Sequence, residues 1–189
     1  ESFTLEKVNK APASFDPQKL WVFQDRHMRD LPPDRKAAFV APYLEKAGLV
    51  ASPASEDARQ RVAAILHAAG DRIKVAGDIL DYADFFTPDD HLPYEEKDYE
   101  KRIRKPPEAI ELLRKFRADL AAVEPFDAPA LEKLLHDFVE REAIKAGQII
   151  HALRVAVTGK AVGFGLFETL AVLGKESALR RIDRAIERV

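Results

Sequence analysis

Hydrophobic positions along this 189-residue chain recur at intervals of three and four, and no stretch of useful length alternates with the period of two that a half-buried strand requires. The pattern predicts helices in series. After turn-rich residues 9–17, residues 19–29 form a helix or turn whose Trp21, Phe23 and Met28 pack inward. Pro33 or Asp34 opens a helix toward Gly48, with Ala37, Ala38, Val40, Ala41 and Leu44 along it; Pro42 kinks or divides this segment unless it falls in a first turn. Ser55 caps a helix reaching Ala69, with Val62, Ile65 and Leu66 inward. Beyond Gly70 a further helix is expected from Asp71 to Asp84, with Ile73, Ala76, Ile79, Leu80 and Ala83 buried and Asp71, Lys74, Asp78 and Asp81 in water. Phe85 and Phe86 close this pack.

Residues 87–99, TPDDHLPYEEKDY, are acidic and broken by proline, and read as a flexible connector. Asp89, Asp90 and His91 are too close together in such a loop to converge on a metal. Pro106-Pro107 opens a helix to about Val123 that is striped by Ile110, Leu113, Phe116 and Leu120. Asp127 caps the next, which carries Leu131, Leu134, Leu135, Phe138 and Val139 toward Ala146, with His136 on its edge. A third stripe at Ile149, Ile150, Leu153, Ala156 and Val157 places Arg154 beside the buried face, and Thr158-Gly159 ends it. Gly163 and Gly165 bracket Phe164, for which no core is evident, so the backbone there can approach a docked group closely. Leu166 to Leu173 is a short apolar helix, Gly174 is its left-handed cap, and an amphipathic helix finishes the chain. The fold class is all-α: two helical bundles in series after a short lead-in, with boundaries at 1–31, 32–97 and 98–189.

Composition narrows the chemistry. A formal charge of −2 with one third charged residues excludes a polybasic nucleic-acid tail, so any RNA contact must be local. The single dense basic cluster is KRIRK at 101–105, which reads as a solvated face or a phosphate contact. Without cysteine there are no disulfides or thiolate metal sites, which is compatible with a cytoplasmic location. No apolar run is long enough to span a membrane, and no signal-like segment opens the chain. Nucleotide-binding signatures, a phosphate-cradling glycine loop, a Ser-His-Asp set and zinc spacings are all missing, so no catalysis is expected from these residues alone. Lacking an initiator methionine, the chain reads as a piece of something longer.

Two separated runs carry a resemblance. Leu153-Arg154, Thr158-Gly159, Gly165-Leu166-Phe167-Glu168, Leu173-Gly174-Lys175-Glu176 and Leu179-Arg180-Arg181-Ile182 resemble, in order and spacing, the C-terminal end of bacterial-type glutamyl-tRNA synthetases; Val8 to Pro17 with Lys19-Leu20 resembles the stretch that follows their catalytic domain. The resemblance implies an anticodon-binding region whose partner is glutamate tRNA, with glutamine tRNA as a further candidate and neither DNA nor a membrane involved. It implies a monomeric, cytoplasmic parent that activates glutamate with ATP and magnesium in an upstream domain. It also implies anticodon contacts at Arg154 and the Gly163-Phe164-Gly165-Leu166 loop for the second and third bases, and at Arg72 for the third. Gly163-Phe164 stands where a small hydroxylated residue and proline are usual, which leaves Phe164 as a stacking platform for a base. Lys160 is expected in solvent, where it makes at most a screened phosphate contact. Arg154 as a structural ion pair, and Arg72 paired with Asp71 or Asp78, are the plainer readings of those side chains. At the level of the whole chain, a helical protein-interaction module or a free-standing tRNA-binding accessory protein remains open.

Overall fold

A computed structural model describes residues 14–189. The resemblance at Val8 to Ala13 and most of the expected turn at 9–17 lie outside the described residues. The all-α expectation holds, with no strand among the described residues. Helix α1 is Pro17–Asp30, α2 Pro33–Lys46 and α3 Glu56–Ala69; α4, Glu96–Tyr99, runs on as one wide turn over Glu100–Arg104. Then come α5 Ala109–Ala122, α6 Ala128–Arg141, α7 Ala146–Thr158, α8 Leu166–Leu173 and α9 Lys175–Glu187.

Local chemistry explains the boundaries. Asp16 caps α1 by accepting from the amides of Gln18 and Lys19, and Pro17 costs nothing at a first position whose N–H has no helical partner. Ser55 accepts from Ala58 N to start α3, and Asp127 from Ala130 N to start α6. Helix α2 is not divided at Pro42, which lies on its exposed side. Helix α6 stops at Arg141, short of Ala146: Ala143 turns left-handed (φ 52°) and Ile144 N bonds back to Val139 O, which lets Ile144 fold onto the core.

The expected helix at 71–84 does not form. Asp78 is not free in water; its Oδ2 accepts from Lys74 N (2.8 Å) and Val75 N (3.0 Å), pulling the chain into a turn with Ile73 and Val75 extended. Short tight-helical turns follow over Ala76–Phe85. The buried hydrophobic residues of 73–85 are Ile73, Ala76, Ile79, Tyr82 and Phe85, spaced by three, whereas Leu80 faces solvent. Spacing by three matches a tight helix of three residues per turn, where such side chains eclipse. Trp21 and Phe23 also depart from expectation. Both are exposed; α1 buries only Met28 and Asp25, the latter clasped by Arg29, and Lys74 covers one face of the Trp21 ring.

Two hydrophobic cores result. The first joins Met28, Val40, Leu44, Val62, Ile65 and the 73–85 segment; the second joins Tyr99, the inner faces of α5 to α7 and α9, and part of α8. Burying one Ile or Leu of these stripes contributes about 1.5–3 kcal/mol. Residues 87–99 are an ordered strap. Asp89 accepts from Ser177, Arg180 and Arg181; Leu92 is fully buried; Glu95 N bonds to Gly159 O at 2.7 Å; and the Tyr99 hydroxyl donates to Ala185 O at 2.6 Å. The cores meet along a seam. Arg181, 2% exposed, donates to Asp89 Oδ1, Val157 O, Asp84 O and Thr87 O, so it ties the strap and both cores together.

Candidate nucleic-acid interface

Helix α7 brings Arg154 to the other end of this seam. Thr158 and Gly159 end the helix for separable reasons. Thr158 Oγ1 lies 2.9 Å from Arg154 O and 3.0 Å from Lys160 O, holding the turn, while Gly159 adopts φ 78° and a Cβ there would overlap the Pro93 carbonyl. The loop that follows is pinned at three points. Asp98 Oδ2 accepts from Ala161 N at 2.8 Å, Lys160 Nζ reaches Asp84 Oδ1 at 2.7 Å as well as Asp81 O, and Arg154 Nη1 donates to Phe164 O at 2.7 Å.

Phe164 is the principal correction to the expected site. Its ring is 1% exposed and packs into the first core, stacked on Phe85 (centroids 5.2 Å, 15°) and tilted against Tyr82 (5.4 Å). It is a plug, not a platform for a base. Leu166 is also buried, at the start of α8, and contributes packing instead of a contact surface. Lys160 is closed in by Asp84 and is not free for a phosphate. What faces solvent in this loop is the Val162 side chain and the glycine backbone: Gly163 and Gly165 are exposed, and Gly165, which opens α8, has the Glu168 carboxylate against it. An added Cβ on Gly163 (φ 154°) would stand 3.4 Å from Arg154 Nη1, in contact with the guanidinium.

Arg154 is half-buried and makes a single hydrogen bond among the described residues, with no carboxylate within ion-pair distance. Burial lowers its pKa, and nearby Arg72 lowers it further against a smaller opposing pull from Glu168. An arginine so placed stays charged, and it keeps unused donors beside a second cation. Arg72 is exposed. Among the described residues it has no carboxylate partner, and its one bond, to Ala69 O, is long at 3.4 Å. Its expected partner Asp78 is occupied by backbone amides. Arg72, Tyr82, Lys160 and Gly163 line a cleft of about 620 Å³, with Asp81 and Glu95 as acceptors on its wall. Donors and acceptors together suit the edge of a nucleobase better than a bare phosphate.

The structure thus brings Arg72, Arg154, Gly163 and Gly165 to one end of the seam and withdraws the side chains of Phe164 and Leu166 from it. Tyr82, Asp81 and Glu95 were not anticipated. Tyr82 had a signal in the spacing by three; the two acids, in stretches with several others, had none. Among the described residues no three His, Cys, Asp or Glu side chains gather to hold a metal, and no helix is long and apolar enough to cross a membrane.

An all-helical module with two cores and an open, arginine-edged cleft is the class these features define. Comparison with known proteins makes it specific. A family model described as an anticodon binding domain matches residues 35–186, and the chain belongs to that family. It is 37% identical over 185 residues to a glutamate–tRNA ligase of Herpetosiphon aurantiacus, covering 98% of this chain and 37% of that protein. Against the glutamate–tRNA ligase of Moorella thermoacetica the identity is 35%, with the same coverage. A crystal structure of a glutamate tRNA ligase from Elizabethkingia meningosepticum shares the fold at a TM-score of 0.80 and 22% identity, covering 98% of this chain and 35% of that one. The chain spans little more than a third of the length of the relatives it matches.

Proposed function

We propose that this chain reads the anticodon of glutamate tRNA on behalf of a glutamate–tRNA ligase, a cytoplasmic monomer that uses ATP and magnesium in the part of the protein that this chain does not span. The observation that carries the reading is the pair Arg72, on the cleft wall, and Arg154, behind the cleft's Gly163, two cations without carboxylate partners among the described residues. A single-stranded loop offers splayed bases whose edges such fixed donors can meet. The first test is affinity of the 189-residue chain for glutamate tRNA and for the same tRNA with an altered anticodon. Tighter binding of the unaltered tRNA is expected, with no ATP–pyrophosphate exchange by the chain alone; equal affinities overturn the reading.

Arg72 supports preference for glutamate over glutamine tRNA. Their third anticodon bases are C and G. On its pairing edge C presents two adjacent acceptors that a guanidinium can meet, whereas G presents donors that would leave buried N–H groups facing N–H groups. That mismatch penalises G through unmet desolvation as well as lost attraction. Arg72→Gln in the full-length enzyme is expected to narrow the ratio of charging between the two tRNAs; an unchanged ratio assigns Arg72 to structure.

A further inference from the structure

The anticodon cleft is one end of a longer basic surface. In the wide turn Glu100–Arg104, closed by Lys105 N to Glu100 O at 2.9 Å, the charged side chains divide. Arg104 turns to Glu96 and Glu100 and is neutralised. Lys101 and Arg102 have no carboxylate within ion-pair distance among the described residues, and Arg102 Nε is buried without an acceptor there. This turn packs on α7, where His151 and Arg154 share one face at a spacing of three. Burial first, and then the charges of Arg102, Arg154 and Lys101, hold the His151 imidazole below the usual range. The adjoining Asp98 holds the loop by its bond to Ala161 N, so the basic turn and the cleft are mechanically joined.

We infer that Lys101 and Arg102 form a track for the phosphate backbone of the RNA strand whose bases meet Arg154 at the cleft, with His151 as a further donor beside them. The inference rests on the anticodon reading and adds to it a contact that does not depend on sequence. Phosphate oxygens are the acceptors that two adjacent cations without carboxylate partners among the described residues lack. Neutralising phosphates releases condensed counterions, so each contact adds about 0.7–0.9 to the slope of log K against log salt concentration.

The experiment measures that slope for tRNA with the 189-residue chain and its variants. Lys101→Gln, at an exposed position, is expected to lower the slope by about 0.7–0.9, and Lys101→Gln with Arg102→Gln by about twice as much. The affinity ratio between unaltered and anticodon-altered tRNA should stay as in the parent chain. Lys133→Gln, removed from the turn and paired with Asp137, should leave the slope alone. The His151 resonance should titrate at higher pH with tRNA bound than without, because a phosphate offsets the surrounding cations. An unchanged slope in Lys101→Gln overturns the track, as does an equal loss in Lys133→Gln or a His151 titration indifferent to tRNA. Loss of anticodon discrimination in the parent chain would instead defeat the base-reading proposal, and the slopes would still decide the track.

Discussion

The two ends of the seam between the cores each place an arginine against buried surface, and the two arginines are used differently. Arg181 makes four hydrogen bonds, one of them to the carboxylate of Asp89, and is enclosed. Arg154 makes one hydrogen bond and lies beside another cation. Helix phase alone would not separate them, since both lie beside apolar helix faces. The number of donors already met does: a nearly saturated guanidinium holds structure together, and one with most donors to spare is available for recognition.

That contrast predicts opposite mutational signatures. Arg181→Leu removes one of the three donors to Asp89 and the donors to three carbonyls, and should destabilise the chain by about 3–5 kcal/mol, measured by chemical denaturation, with tRNA binding lost only through unfolding. Phe164→Ala should cost about 3 kcal/mol, because it removes a buried ring that Phe85 and Tyr82 enclose. If Phe164 were a base platform, this variant would instead lose tRNA affinity at full stability, and the same denaturation curve tells the two apart. Arg154→Ala should weaken binding of glutamate tRNA by about 1–3 kcal/mol and relax discrimination at the second or third anticodon base, with a smaller loss of stability from its bond to Phe164 O.

The smallest effect is a pH dependence at the saturated end. Burial raises the pKa of Asp89, but hydrogen bonds from Ser177, Arg181 and Arg180 outweigh it and the net shift is downward. With the folded pKa depressed, the unfolded chain binds more protons as pH falls. The contribution is therefore present above the unfolded value of about 3.9 and is lost as pH drops through the folded one. Stability measured from pH 6 downward should fall in this range, and Asp89→Asn should be less stable at pH 6 and flatten the decline. A decline as steep in Asp89→Asn would place the acid sensitivity elsewhere.

Where local chemistry decided the outcome, the residues announced it. The caps at Ser55 and Asp127, the stripe on α7 and the break at Thr158-Gly159 follow from side-chain oxygens, period and a left-handed glycine. Segment 71–84 misled because Leu80 and Ala83 completed an α-like pattern, whereas the stricter spacing by three from Ile73 to Phe85, together with Asp78 within reach of two amides, favoured tight turns. Only their aromatic character points Trp21 and Phe23 inward, and residue type does not say which face of a helix finds a neighbour. In the site, Arg154 was legible because its helix phase put it at the edge of a buried face. Phe164 was not, since its core is built by residues about eighty positions earlier in the chain and no local pattern records a distant cavity.

Phe164 belongs by sequence to the second half of the chain and by packing to the first. A cut near residue 97 would therefore not yield two self-sufficient pieces: the N-terminal piece would keep a hole shaped like a phenyl ring, and the C-terminal one would expose that ring. Recombination between relatives at this junction meets the same condition. An exchange of either half would keep this packing only where Tyr82, Phe85 and the residue at 164 remain compatible, which ties the loop beside the cleft to the far wall of the first core.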